Sequence, residues 1–214
     1  MTPYYADEQV QLHHGDCREI AEWLEADVLV TDPPYGIAYK SGSRREKLAA
    51  SIAGDEDTSL RDWALETWGR SALVFGTWRI PRPAGTHTRL VWDTKGALGM
   101  GNLAVPWKPS DQEIYVIGYD FEGRRDSNVL RHAPVQSMAR NGRTHPHEKP
   151  LSLMTELIAK TRGTVADPFA GSGSTLVAAK MLGRRAIGVE LDERYCEVIA
   201  KRLAQGALDF GGAA

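Results

Sequence analysis

The sequence predicts an α/β fold: a doubly wound, mostly parallel sheet with helices on both faces and an antiparallel pair at its edge. Three observations lead there. Short apolar runs recur along the 214 residues, most of them separated by stretches of helical periodicity. Two of the runs pass directly into a turn rich in glycine or proline. Residues 90–118 hold two runs with no helical pattern between them, as an antiparallel pair would.

Strands are read at Val10–His13, Val28–Thr31, Ala72–Gly76, Leu90–Asp93, Glu113–Gly118, Thr164–Ala166 and Ala186–Glu190. The first helical pattern is 17–25, where Ile20, Trp23 and Leu24 share a face. A second, at 58–69, carries Leu60, Trp63, Ala64 and Trp68, and a third, at 151–162, carries Leu151, Met154, Leu157 and Ile158. Two more are expected at 174–182 and 192–204. Dense Gly and Pro mark loops over the sheet at 80–85, 94–110 and 140–150. The stretch Asp120–Thr144 has little periodicity and reads as an insert, and 206–214 as a frayed tail.

A chain of this length, 42% hydrophobic and 25% charged, fits one domain over 1–214 that needs neither disulfides nor a structural metal. No run approaches the about 18 apolar residues of a membrane span, and the N-terminus lacks the pattern of a secretory signal. Cys17 and Cys196 stand too far apart for a cysteine zinc motif or a disulfide framework, so a reducing cytoplasm is expected. The net charge of −2 hides asymmetry. Residues 1–33 hold eight acids and one base, whereas Lys40, Arg44, Arg45 and Lys47 face only Glu46. Residues 121–144 hold Arg124, Arg125, Arg131, Arg140 and Arg143 against two acids. Such loops suit phosphate contacts, or simply a solvated surface.

Two segments carry chemistry. Asp32-Pro33-Pro34-Tyr35 closes the strand Val28–Thr31. Each proline fixes φ and removes a donor, so the Pro33 carbonyl is held rigidly beside the Asp32 carboxylate. Two acceptors so placed can take both hydrogens of one –NH₂ group, while Tyr35 offers a face for a flat base. The plain alternative is a rigid turn with a packed tyrosine. In the second segment, Asp167-Pro168-Phe169-Ala170-Gly171-Ser172-Gly173-Ser174-Thr175 runs from a strand into a helix that Ser174 or Thr175 could cap. Gly171 and Gly173 let backbone lie against a ligand, and the helix start offers unpaired amides. Glu190 ends the next strand, where an acid can bind ribose hydroxyls. A purely structural turn and a dehydrogenase motif are the alternatives, though a dehydrogenase leaves Asp32–Tyr35 without a role. No Gly-Lys-Ser/Thr follows, which argues against a nucleotide-triphosphate loop.

With His14-Gly15-Asp16-Cys17 and His145-Pro146-His147-Glu148-Lys149-Pro150, these passages occur in an order that resembles the S-adenosylmethionine-dependent DNA methyltransferases acting on exocyclic amino groups. The match is to the permuted group, in which D-P-P-Y precedes the glycine-rich motif, and it covers nearly the whole chain. The resemblance implies a Rossmann-like, seven-stranded methyltransferase sheet, circularly permuted. It also implies that the methionine end of S-adenosylmethionine lies over Asp167, Pro168, Phe169, Gly171, Ser172, Gly173, Ser174 and Thr175, with Asp32 bordering both cofactor and base. By it Asp167 holds the amino group, Phe169 packs near the sulfonium and Glu190 binds the ribose. Asp16 and Cys17 hold the adenine, and His145 and Lys149 close over the methionine portion. A metal role for His145, His147 and Glu148 is a weaker alternative, and no metal is expected.

In this family a leading acid in D-P-P-Y is more usual for adenine N6 and a serine for cytosine N4, so adenine is expected. The implied partner is duplex DNA with the target base turned out. The basic residues Lys40, Arg44, Arg45, Lys47, Arg124, Arg125, Arg131, Arg140 and Arg143 are the candidate DNA contacts, and 120–144 the candidate recognition insert. That span is short, so recognition is expected to be brief or relaxed, or shared with a second subunit of a homodimer. RNA or protein-amide methylation, and DNA binding without turnover, are the competing functions.

Overall fold

Alternation along the central strands decides which face of the sheet each helix covers. The computed structural model describes residues 2–35, 57–96, 103–135 and 148–209. Among them, nine strands form one sheet: β1 (Tyr5–Ala6), β2 (Val10–His14), β3 (Val28–Thr31), β4 (Ala72–Gly76), β5 (Thr86–Asp93), β6 (Asp111–Ile117), β7 (Val129–Arg131), β8 (Val165–Asp167) and β9 (Ala186–Glu190). Their order is β1-β2-β9-β8-β3-β4-β6-β5-β7. The run from β2 to β4 is parallel throughout. Against it β6 is antiparallel to both β4 and β5, so the α/β class and its antiparallel pair are as predicted.

Among the described residues there are four α-helices: α1 (Ser59–Trp68), α2 (Leu151–Ile158), α3 (Ser174–Met181) and α4 (Glu193–Asp209). Val28, Val30, Leu73, Phe75 and Val165 point to one side, where Leu153 and Leu157 of α2, Leu176 of α3 and Ile199 of α4 bury them. The intervening Leu29, Ala72, Val74, Ala166 and Ile187 meet Trp23 and Trp68 on the other. Those two indoles stack 5.9 Å apart. Each fully buried large side chain contributes about 1.5–3 kcal/mol, so both faces are needed.

Several elements differ from expectation. The 17–25 pattern yields only a 3-10 turn at Glu22–Glu25. The Trp23 indole N–H donates to the Cys17 carbonyl, 3.0 Å away, and occupies the acceptor that a helix would offer to residue 21. The third helix stops at Ile158 rather than 162, because the Thr161 hydroxyl takes the Ile158 carbonyl at 2.8 Å. Among the described residues the sheet has nine strands rather than seven. One extra strand, β7, lies inside the supposed insert 120–144 and pairs parallel with β5, so the β5–β6 pair is not at the edge. Strand β5 also starts earlier than its apolar run, at Thr86, where the side chains are mainly exposed.

His13, on β2, is 1% exposed, and neither ring nitrogen has a hydrogen-bond partner. Burial lowers its pKa. The unfolded chain therefore takes up the proton more readily, and stability present above the ordinary imidazole range is lost as pH falls below it. The variant His13→Leu should melt about 2–4 °C above wild type near pH 5.5 in calorimetry, with the gap narrowing toward pH 8.

Candidate active site

Four adjacent parallel strands deliver carboxylates to one edge of the sheet. Across the order β2-β9-β8-β3 these are Asp16 just past β2, Glu190 at the end of β9, Asp167 at the end of β8, and Asp32 directly after β3. The carboxyl ends of parallel strands are where ligands bind in such sheets. The two chemistry-bearing turns, far apart in sequence, leave from neighbouring strands, since Val28 pairs with Val165 and Leu29 with Ala166. A hydrogen bond ties their roots together: the Thr31 hydroxyl donates to Asp167 Oδ1 at 2.7 Å.

The glycine-rich turn is built on Glu190. The Gly171 amide donates to its Oε2 at 2.7 Å and the Asp192 amide to its Oε1 at 2.8 Å. Burial dominates these bonds and pushes its pKa up to about 7. Each oxygen keeps a lone pair, as binding a pair of hydroxyls requires. Gly171 has φ +54°, and a Cβ there would meet nothing closer than Phe169 O at 3.8 Å, so the turn presents bare backbone on an open side. Gly173 is different. Its φ is +78°, and a Cβ would strike Ile199 at 2.8 Å, so this glycine serves close packing against α4. It also occupies the N-cap of α3 with no side-chain cap bond, which displaces Ser174 and Thr175 from the capping role expected of them. Both are buried, as is Ser172, whose hydroxyl lies 3.2 Å from that of Ser174. Pro168 is buried, and Phe169 packs against the cluster around Trp23.

Asp167 is 2% exposed, and its Oδ1 takes both the Thr31 hydroxyl and the Phe169 amide, the latter at 3.2 Å. Burial raises its pKa to about 6, partly offset by hydrogen bonds from Thr175 and Thr31. Its observed work is to join β8 to β3. Asp16 is held by Arg18, whose guanidinium approaches to 2.5 Å, and that contact lowers its pKa. The Cys17 thiol is buried and pushed up to about 12, so it is no nucleophile.

On the β3 side, the Tyr35 hydroxyl donates to Asp32 Oδ1 at 2.6 Å. Lys149 Nζ donates to Asp32 Oδ2 and stands 4.8 Å from the centre of the Phe75 ring. Lys149 thus lies on the acid itself. His145, Lys40, Arg44, Arg45, Lys47, Arg140 and Arg143 lie outside the described residues. Of the other candidate DNA contacts, only Arg131 reaches this edge, 3.8 Å from Asp93 at the paired ends of β7 and β5. Arg124 is tied through its carbonyl to Lys160, beyond the end of α2 and near the start of β8, which puts it and Arg125 at the opposite edge.

One positioning residue escapes sequence reasoning. Arg202 of α4 donates from Nη1 to the Ser172 carbonyl at 2.6 Å, and its Nη2 pairs with Glu148 at 2.9 Å. It therefore couples the glycine-rich turn to the segment that carries Lys149. Nothing in the spacing of a C-terminal helix signals this contact.

The donor set suits the sulfonium cofactor implied by the resemblance: buried carboxylate oxygens with spare lone pairs, bare backbone at Gly171, and a neighbouring acid. A family model described as DNA methylase, of the N6/N4 type, matches residues 58–202. The type II methyltransferase M2.DpnII of Streptococcus pneumoniae is 34% identical, over 94% of this chain and 92% of its own. Among solved structures, the M1.HpyAVI–SAM complex is 21% identical, with a TM-score of 0.65 over 90% of this chain and 99% of that one. The PvuII DNA methyltransferase, described as cytosine-N4-specific, is 17% identical, with a TM-score of 0.66 over 94% and 88%.

Arg202→Ala removes a half-buried pair and a carbonyl bond together, and should lower the unfolding free energy by about 2 kcal/mol in urea titration. Arg202→Lys should recover only part of that loss, since a lysine cannot span both partners.

Proposed function

Because the chain belongs to the N6/N4 DNA methylase family, we propose that it uses S-adenosylmethionine to methylate adenine N6, on a base turned out of duplex DNA. The observation that carries this reading is the Thr31–Asp167 bond, which unites the roots of the D-P-P-Y and glycine-rich turns at one sheet edge.

The cofactor supplies one thing, an electrophilic methyl group on a sulfonium. The rest is the work of this chain. Glu190 accepts the ribose hydroxyls on the lone pairs that the Gly171 and Asp192 amides leave open. Asp16 and Cys17 lie beyond it, on the side assigned to the adenine.

An aromatic amine is a weak nucleophile because its lone pair is delocalised into the ring. Asp32 Oδ2 and the Pro33 carbonyl, accepting its two hydrogens, draw the nitrogen toward tetrahedral geometry and free that pair. The Tyr35 hydroxyl holds Oδ1 and so keeps Oδ2 aimed outward. Lys149 pairs with Oδ2, and in our reading the base amine replaces the ammonium as donor there. The Asp32 carboxylate would stabilise the positive charge that develops on nitrogen as the methyl leaves sulfur for it, an electrostatic effect in a partly dry site, and would pass the surplus amine proton on to solvent. No covalent enzyme intermediate is required.

The choice of adenine rests on the acid that leads the D-P-P-Y segment. Nucleoside mass spectrometry of DNA incubated with protein and cofactor should find N6-methyladenine, and N4-methylcytosine in its place would reject that choice. Asp32→Ala should bind cofactor normally and lose at least about 100-fold in turnover, because the charge-stabilising acceptor is gone. Affinity for the cofactor should weaken as pH falls through about 7, where Glu190 takes up a proton and one of its two open acceptor sites is lost. In calorimetry between about pH 6 and 8, Glu190→Gln should bind more weakly, with that pH dependence flattened.

A further inference from the structure

Residues 71–110 hold five cations, Arg79, Arg82, Arg89, Lys95 and Lys108, against the single acid Asp93. Arg89 is engaged by the buried Glu113 at 2.7 Å, and Arg82 stands 3.8 Å from the same carboxylate. Arg79, Lys95 and Lys108 have no carboxylate partner among the described residues. Within this stretch, Trp78 is 73% exposed and Trp107 78%. The chain's other four tryptophans, Trp23, Trp63, Trp68 and Trp92, all pack in or against the core.

Both exposed indoles leave the sheet at the edge that carries Asp32. Gly76 pairs with Glu113, so the residues after β4 and those before β6 emerge together. Thr31 pairs with Val74, which sets the end of β3 beside them. The turn bearing Trp78 is held: the buried Arg61 donates to the Pro81 carbonyl at 3.0 Å, and the Thr77 carbonyl lies 3.1 Å from the Tyr115 hydroxyl, whose proton goes to Glu113. The Trp107 segment is anchored at its far end, where the Thr94 amide and hydroxyl both reach the Ser110 carbonyl at 2.8 Å. Two indoles kept in water on anchored backbone forgo the gain of burial, and the stretch that carries them is rich in cations, with Asp111 the exposed acid just beyond it. A flat, anionic partner satisfies both features.

We propose that Trp78 and Trp107, with Arg79 and Lys108, form a stacking and phosphate-binding surface for the DNA strand that flanks the target base. This rests on the DNA reading above and adds the surface that engages the strand. Turning out one base leaves its neighbours with uncovered faces, and indole is a large aromatic platform for them. The cations follow the backbone phosphates.

The test is DNA affinity, read by fluorescence anisotropy of a labelled duplex with the full-length protein, beside methyl transfer from labelled cofactor. Trp78→Ala and Trp107→Ala should each weaken DNA binding about tenfold, whereas phenylalanine at either position should retain most of it. Cofactor affinity should not change, which separates this effect from misfolding. Arg79→Gln and Lys108→Gln should each reduce the slope of log affinity against log salt by about one. Wild-type DNA affinity in the double alanine variant would overturn the proposal. So would a wild-type dimer in sedimentation that the double variant dissolves, since a second copy would then cover the indoles. Indole-dependent DNA binding without methyl transfer would instead sink the activity reading and leave this surface standing.

Discussion

A hydroxyl on the last residue of β3 and a carboxylate on the last residue of β8 meet at 2.7 Å, where water has little access. A hydrogen bond to a charged group is worth only about 1.5–3 kcal/mol net. Its geometric consequence is larger. The two strands are separated by more than 130 residues of sequence, yet each ends in one of the two turns to which chemistry is assigned. Parallel pairing brings the turns to the same edge, and the Thr31–Asp167 bond fixes their roots. The Arg202 contacts to Ser172 and Glu148 do the same from the helical side. The two turns are thereby tied together from two directions, by a strand-end bond and by a helix side chain.

The same edge concentrates negative charge where burial opposes it. Asp167 and Glu190 both have raised pKa values because desolvation outweighs the hydrogen bonds they receive. Asp32, more open, is met by Lys149 and Tyr35. The chemistry of this edge, with carboxylates that keep spare lone pairs, suits a ligand that brings hydroxyls and positive charge. The two apolar clusters on either face of the sheet hold the scaffold.

Much of this was legible because each half of the site is a contiguous run at the end of an apolar strand. Val28–Tyr35 and Val165–Thr175 announce strand, turn and chemistry together. The 17–25 segment misled because its apolar spacing is real, and Ile20 and Trp23 are buried, but the Trp23 indole takes a carbonyl that a helix needs. Strand β7 was missed because three residues paired at one edge leave no periodicity to detect. Arg202, and the Lys149 contact with Asp32, depend on elements meeting in space, which residue spacing along one chain does not encode. The exposed tryptophans were hidden for a different reason: in a sequence, an indole on the surface looks the same as one in the core.

The most direct measurement is a crystal structure of the chain with S-adenosylmethionine or a non-reactive analogue. The ribose hydroxyls should lie on Glu190, the methionine portion over Gly171, and the sulfur should face the Asp32 carboxylate and Pro33 carbonyl across one pocket. A ligand bound with its sulfur directed away from Asp32, or held at the other edge of the sheet, would contradict the assignment of both turns to one reaction.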